Sequence, residues 1–254
     1  MTHILNTVGH RPYELPVGRW RMRQRWSDLL FAHWPIPVGG MAHLLPAGLE
    51  VDTFDGVAWV GVVPFWMDQV QTRVTGEHCI TIPGTAAFCE LNLRTYVRSK
   101  TSGLPGVYFF SLDAASALAV IGARTLFHLP YFFASMHRQI EPDGTIDYTS
   151  RRLLTGRSVR FQARYRGLGK IATPGSDGTL EHFLTERYCL FTHRAGRVIV
   201  GHIHHLPWPL EAAEAEISIN ELPAAHGITL ANQPPVLHFA RELHVYIWST
   251  RADK

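Results

Sequence analysis

Lysine is almost missing. It occurs only at Lys100, Lys170 and Lys254, and every other cation among the 24 basic residues is arginine. Schiff-base chemistry needs a lysine amine of depressed pKa, so very few positions could supply it. Cysteine is also scarce. Cys79, Cys89 and Cys189 are an odd set without a CxxC pair, which argues against a disulfide framework or a zinc knuckle and points to a reducing compartment. No apolar run reaches about 18 residues and no signal-peptide core opens the chain, so the expectation is a soluble cytoplasmic protein without a membrane partner. The formal charge is only +3, with no Lys/Arg run or basic stripe; nucleic acid is therefore not an expected partner. GxSxG, P-loop, GxGxxG and HExxH motifs are all absent, and no organic cofactor is implied. Gly167-Leu168-Gly169-Lys170 is too short for a phosphate cradle and reads as a turn. No linker, repeat or low-complexity stretch divides the 254 residues, so the reading is a polar arm over residues 1–19 and one domain over 20–254.

What is present is hydrophobic and aromatic. The hydrophobic share is 46%, with seven Trp and thirteen Phe, as a well-buried globular protein requires. The most regular stretch is Phe88 to Arg98. Glu90, Asn92, Arg94, Tyr96 and Arg98 fall on one face of a strand; Cys89, Leu91, Leu93, Thr95 and Val97 fall on the other. Two readings fit: a half-buried strand with its polar face in water, or the wall of a polar cavity inside a barrel.

Around it the chain reads mostly as strands. Trp20 to Arg25 is a first strand, and Ser27 caps a short helix from Asp28 to Trp34. Val38 to Leu45 is a second short helix. Leu49 to Phe54 and Val57 to Met67 form a hairpin about Asp55-Gly56. Val107 to Leu112 is a strand, and Asp113 caps a longer helix from Ala114 to about Phe127. Ala134 to Glu141 and Thr145 to Leu153 flank the turn Pro142-Asp143-Gly144. Ser158 to Tyr165 reads as a strand with Arg160, Gln162 and Arg164 in water. Leu180 to Thr185 is a helical turn, Tyr188 to His193 pairs with Val198 to His205, Leu210 to Glu216 is a short helix, and Leu237 to Trp248 is a closing strand. The sum is a β-rich α+β fold, a closed or nearly closed barrel with a few short helices and one longer central helix.

Several of these stretches resemble one family. Glu90 to Val97, Gly106 to Asp113, Ala123-Arg124 through Leu129-Pro130-Tyr131, Leu184 to Tyr188 and His205 to Leu210 are similar to the YqjF-like family of uncharacterised bacterial proteins. The match runs from about Arg23 to Trp248. That family resembles acetoacetate decarboxylase in fold, which implies a conical β-barrel with a cavity. Gly122 to Phe132 is similar to the decarboxylase stretch that ends in Pro-Lys-Lys, with Arg124 six residues before Pro130. One of those lysines forms the Schiff base and the other lowers its pKa. Here Tyr131 and Phe132 stand in their places. Glu90 matches a cavity glutamate of the decarboxylases.

The candidate site follows. Glu90 and Tyr131 are the expected proton-handling residues; Asn92, Arg94, Tyr96 and Arg124 are the expected substrate contacts. Glu90 and Arg94 lie about 13 Å apart along a strand, at roughly 3.3 Å per residue, so each can hold one end of a ligand. An inward Glu, Arg and Tyr can bind a carboxylate and move a proton. The expected function is binding of a small carboxylate- or carbonyl-bearing metabolite, as an enzyme without a Schiff-base lysine or as a non-catalytic sensing domain; a homo-oligomer is left open. His202 and His204 share a strand face, as two zinc ligands would, which adds a metal-dependent hydrolase as a further alternative; a third ligand would have to come from elsewhere, such as His193 or Glu186, none is evident from the sequence, and no metal is assigned. Glu186-Arg187-Tyr188 reads as a structural ion-paired strand entry.

The lysine shortage generates a test. Borohydride trapping with acetoacetate or pyruvate should leave the intact mass unchanged; a stoichiometric adduct on Lys100 or Lys170 would contradict this reading.

Overall fold

The computed structural model describes residues 2–156, 158–170 and 177–254. Among them the strands are β1 (Met22–Ile36), β2 (Leu49–Val51), β3 (Ala58–Thr75), β4 (His78–Ile80), β5 (Phe88–Ser99), β6 (Pro105–Ala114), β7 (Tyr131–Ile140), β8 (Ile146–Arg152), β9 (Arg160–Lys170), β10 (Cys189–Arg194), β11 (Arg197–His204), β12 (Leu210–Asn220), β13 (Val236–Ile247) and β14 (Arg251–Ala252). Five short helices accompany them: α1 (Thr2–Asn6), α2 (Val38–Ala42), α3 (Ala117–Gly122), α4 (Leu180–Thr185) and α5 (Leu222–Ala225).

Nine strands close into a barrel in the order β6-β7-β8-β9-β12-β13-β1-β3-β5, with β5 returning to β6. The β10–β11 hairpin adds a second circuit. β10 runs parallel to β6, and β11 pairs with β13 through Ile203–Ile247 and His204–Tyr246. Strands β13, β1, β3, β5 and β6 are therefore shared by two closed rings, with an apolar core on each side of the shared wall. Leu30, Ala32, Val60, Val62, Leu91 and Leu93 pack with Tyr148, Phe161 and Tyr165 on one side. Leu29, Phe31, Val63, Phe65, Phe109 and Leu112 pack with Leu184 and Trp208 on the other.

This double burial settles the face of β5. Its first ten residues, Phe88 to Val97, are all buried. The row Glu90-Asn92-Arg94-Tyr96 faces an interior, and the reading of a solvated polar face is overturned. On the opposite side Tyr148 donates to the Glu90 carbonyl at 2.7 Å and brings its hydroxyl within 3.2 Å of the Phe65 carbonyl, which braces β5 against β3.

Two bulges tune what the wall presents. Asp28 and Gln69 take positive φ, +52° and +49°, and the β1–β3 register shifts between Ser27 and Ala32. A bulge reverses the alternation of the residues beyond it. Gln24 and Trp26 before the β1 bulge, and Leu29 after it, thus line one cavity; so do Phe65 and Met67, then Val70, on β3. Arg138 pairs with the Asp28 carboxylate, and Arg25 grips Asp68, beside Gln69, with two bonds of 2.7 Å. This bulge is why Asp28 to Trp34 is strand and not the expected helix: the broken alternation mimics a helical pattern, and Asp tolerates the left-handed conformation.

Other elements differ from the sequence reading for identifiable reasons. Leu210 to Glu216 belongs to β12. Its Ala and Glu favour helix, but pairing with β9 sets Glu214 opposite Arg166 and Ala215 opposite Tyr165. Asp55-Gly56 does make a tight turn, with both φ positive and one bridge from Phe54 to Val57, yet β2 pairs with β5, not β3. Asp113 lies inside β6, and Ser116 caps α3 by accepting from the Ala119 amide. The central helix is α3 followed by a π-helical turn, Ala123–Phe127, that ends at His128 in the left-handed conformation. Gly167 to Gly169 continue β9 instead of turning. The first residues form α1, not an extended arm, and the segment after it reaches the barrel: His10 Nε2 donates to the His205 carbonyl at 2.8 Å and Arg11 donates to the Ile203 carbonyl at 2.8 Å.

Candidate functional site

A cavity of about 260 Å³ lies on the α3 side of the shared wall. All seven strands of the β10–β11 circuit contribute to its lining, through residues such as Trp26, Phe65, Glu90, Phe109, Leu190, Ile203 and Ile247. Leu118, Leu126 and Phe127 of the helical segment line it as well. The lining is mostly apolar, so its few polar groups stand out.

Glu90 is 2% exposed. Burial pushes its carboxyl up to about 8, with nearby Asp113 adding in the same direction; hydrogen bonds from Tyr131 and Asn92 pull the other way without offsetting it. At neutral pH Glu90 is thus largely a neutral acid. Tyr131, at the start of β7, donates to Glu90 Oε2 at 2.9 Å. Burial holds the Tyr131 phenol well above its ordinary range, and the adjacent Glu90 adds to the shift. Asn92, two residues along β5, keeps Oδ1 buried without a partner among the described residues.

Arg94 follows two residues further along the same face. Opposite it is Gly61, where an added Cβ would meet the His33 ring at 2.8 Å. That close approach seats His33 against Tyr96, with His33 Nε2 2.7 Å from the Tyr96 hydroxyl. Arg94 is 9% exposed. It donates to the Leu184 carbonyl at 3.2 Å and packs over Phe31. Its Nε–H is buried without a partner, and among the described residues it has no carboxylate partner.

The expected residues therefore separate. Glu90, Asn92, Arg94 and Tyr131 line one cavity. Tyr96 is fully buried but donates to the Leu184 carbonyl at 2.6 Å, outside the lining. Arg124 is exposed on the π-helical turn, stacked over Phe132, and does not reach the cavity. Ala123 and Phe127, both half-buried, line the cavity in its stead, together with Leu126, which is 70% exposed. Lys100 is exposed at the end of β5 and Lys254 is exposed at the last residue; the Lys170 side chain lies outside the described residues.

Three lining residues had no such role in the sequence reading. Arg187 lines the cavity while pairing with Asp52 at 2.6 Å, so the structural reading of that triplet captures only half of its position. His205 and Trp208 line it too; the Pro207 and Pro209 that bracket Trp208 were the available signal. The neighbouring histidines are already engaged. His204 Nε2 donates to the Ile4 carbonyl at 2.7 Å and its Nδ1 faces Arg11 at 3.1 Å; His202 Nε2 faces Arg251 at 3.2 Å. Those contacts do not fit two nitrogens aimed at a shared metal.

The family follows from the sequence match. Residues 23–244 match the model of DUF2071, described as an uncharacterized conserved protein. The chain belongs to the DUF2071 family. It is 47% identical over 237 residues to the uncharacterized protein YqjF of Bacillus subtilis (strain 168), covering 93% of this chain and 94% of that one. Solved structures similar to this DUF2071 chain include acetoacetate decarboxylase of Legionella pneumophila, at TM-score 0.60 and 12% identity, covering 99% of this chain and 95% of that one. Another is the enduracididine biosynthesis enzyme MppR complexed with pyruvate, at TM-score 0.59 and 12% identity over 94% and 93%. At such identity the likeness is one of fold: the DUF2071 barrel is acetoacetate-decarboxylase-like.

The Glu90 carboxyl gives a pH test. Its pKa is raised on folding, so between pH 4.5 and about 8 the native state holds a proton that the unfolded chain has released. Its contribution to stability is fully present below pH 4.5 and is lost as pH rises through about 8, with a limiting slope of roughly 1.4 kcal/mol per pH unit. In urea unfolding across that range the stability difference between the wild type and Glu90→Gln should carry this slope, because contributions such as that of Asp113 are common to both; parallel profiles would contradict it.

Proposed function

We propose that the cavity binds a small carboxylate-bearing metabolite with a carbonyl group, Arg94 taking the carboxylate and Glu90 acting as a proton donor. One observation carries this reading: Arg94 is a nearly buried guanidinium with no carboxylate partner among the described residues and an unused Nε–H, in a cavity whose one lining carboxyl is pushed toward its neutral form. A buried charge without a counter-ion is costly. A bound anion offsets that cost through a charge-assisted hydrogen bond.

The chemistry follows from the residues. Glu90 in its acid form can hydrogen-bond a carbonyl oxygen or protonate it as charge develops there. Tyr131 fixes the carboxyl and shares its load when it ionises. The apolar lining keeps water from screening both groups. With Tyr131 and Phe132 at the positions that resemble the lysine pair, any lyase reaction would proceed by acid catalysis on the free carbonyl and not through an imine. That pyruvate is named in the complex of one fold relative supports short oxo acids as the first class to try, and the cavity's size suits small molecules.

Calorimetric titration with acetoacetate, pyruvate and longer 2-oxo acids tests this. At least one should bind, and Arg94→Met should weaken it roughly 10- to 100-fold, the scale of one hydrogen bond to a charged group. The variant should melt at or above the wild-type temperature, because an uncompensated buried charge is gone. Wild-type affinity in Arg94→Met would overturn the proposal.

A further inference from the structure

We propose that His205 and Trp208 form a second polar subsite in the same cavity, which takes a hydroxyl group on the ligand whose carboxylate sits on Arg94. The inference rests on the carboxylate reading above and adds to it.

His205 is 1% exposed. Its Nδ1 lies 2.7 Å from the Leu206 carbonyl, which can only accept, so Nδ1 carries the proton. Nε2 is then a bare lone pair. It is buried and has no partner among the described residues, although His205 lines the cavity. The imidazole stays neutral: burial holds it down to about 3, and His204, His10 and Arg11 oppose a further positive charge, while the Leu206 bond opposes them only in part. Tyr188 stacks on its other side at 4.7 Å.

Trp208 supplies the complement. It is 7% exposed, its Nε1–H is buried without a partner among the described residues, and it also lines the cavity. The ring centroids of His205 and Trp208 are 5.3 Å apart. A lone acceptor beside a lone donor selects a group that both donates and accepts. A hydroxyl does so. A carboxylate has no hydrogen for Nε2, and an ammonium has no lone pair for the indole. Leaving both atoms unpaired costs free energy, which a ligand group that pairs them would recover.

The subsite lies one ring away from the guanidinium. Arg94 sits 5.2 Å over Phe31, and Phe31 meets Trp208 edge-on at 4.9 Å. Carboxylate and hydroxyl can therefore belong to one small molecule. Val70, Leu118, Leu126 and Phe127 line the cavity as well and suit an apolar chain. The ligand class is a hydroxy acid with a short aliphatic tail.

Titration calorimetry with hexanoate, 2-hydroxyhexanoate and 3-hydroxyhexanoate tests this. One hydroxy acid should bind the wild type at least tenfold more tightly than hexanoate. Trp208→Phe keeps the aromatic packing and loses only the donor; His205→Asn loses the Nε2 acceptor. Each should cut the preference to about twofold or less, lowering affinity for the hydroxy acid far more than for hexanoate. Equal binding of all three acids by the wild type would overturn the subsite and leave the Arg94 reading standing. No binding of any of them would overturn the subsite together with the monocarboxylate class. A preference that survives in Trp208→Phe would also overturn it, even if His205→Asn fails to fold.

Discussion

The burial of β5 on both faces is the constraint on which the rest depends. A strand between two cores would ordinarily be apolar throughout. β5 instead carries Glu90, Asn92 and Arg94 along one face, each nine-tenths buried or more. Every such group must be paired, neutralised or left for a ligand. Glu90 is neutralised by burial, against the pull of the Tyr131 and Asn92 hydrogen bonds. Arg94 is partly satisfied, by the Leu184 carbonyl. The remainder, Arg94 Nε and Asn92 Oδ1, is buried without a partner among the described residues.

The other core keeps a polar pair with a different solution. Asp113 is fully buried in β6, with Arg152 Nε at 2.7 Å from its carboxylate and the Arg152 guanidinium stacked over Phe132. Arg152 also donates to Ser111. There the charges close on each other, so the pair belongs to the framework. Even so, burial raises the Asp113 carboxyl to about 6 against the pull of Arg152. The contrast is between two buried charges of the shared wall: Asp113 is paired on the side of one core, and Arg94 lacks a carboxylate partner among the described residues on the side of the cavity.

Much of this was legible in the sequence, and the failures are physical. The unbroken alternation from Phe88 to Arg98 gave the strand and its polar row, because period two needs no tertiary information. It could not say that both faces are covered; that depends on the β10–β11 hairpin reaching β13, a contact far apart in sequence. Bulges defeated the reading at Asp28, since one extra residue breaks the pattern on which the reading rests. The Ala and Glu of β12 were misread because intrinsic propensity is weak against a full ladder with β9. Arg124 was expected in the cavity from a resemblance in sequence, but the π-helical turn leaves it outside. His205 and Trp208 were hidden because open polar atoms are a property of three-dimensional packing.

The central claim is that the β5 row holds a neutral carboxylic acid beside an uncompensated guanidinium. Infrared difference spectroscopy of wild type against Glu90→Gln at neutral pH, with and without a bound oxo acid, reads it directly. The account predicts a protonated-carboxyl carbonyl band in the wild type that is missing in the variant and that titrates near pH 8. A difference spectrum showing only an ionised carboxylate at neutral pH would contradict it.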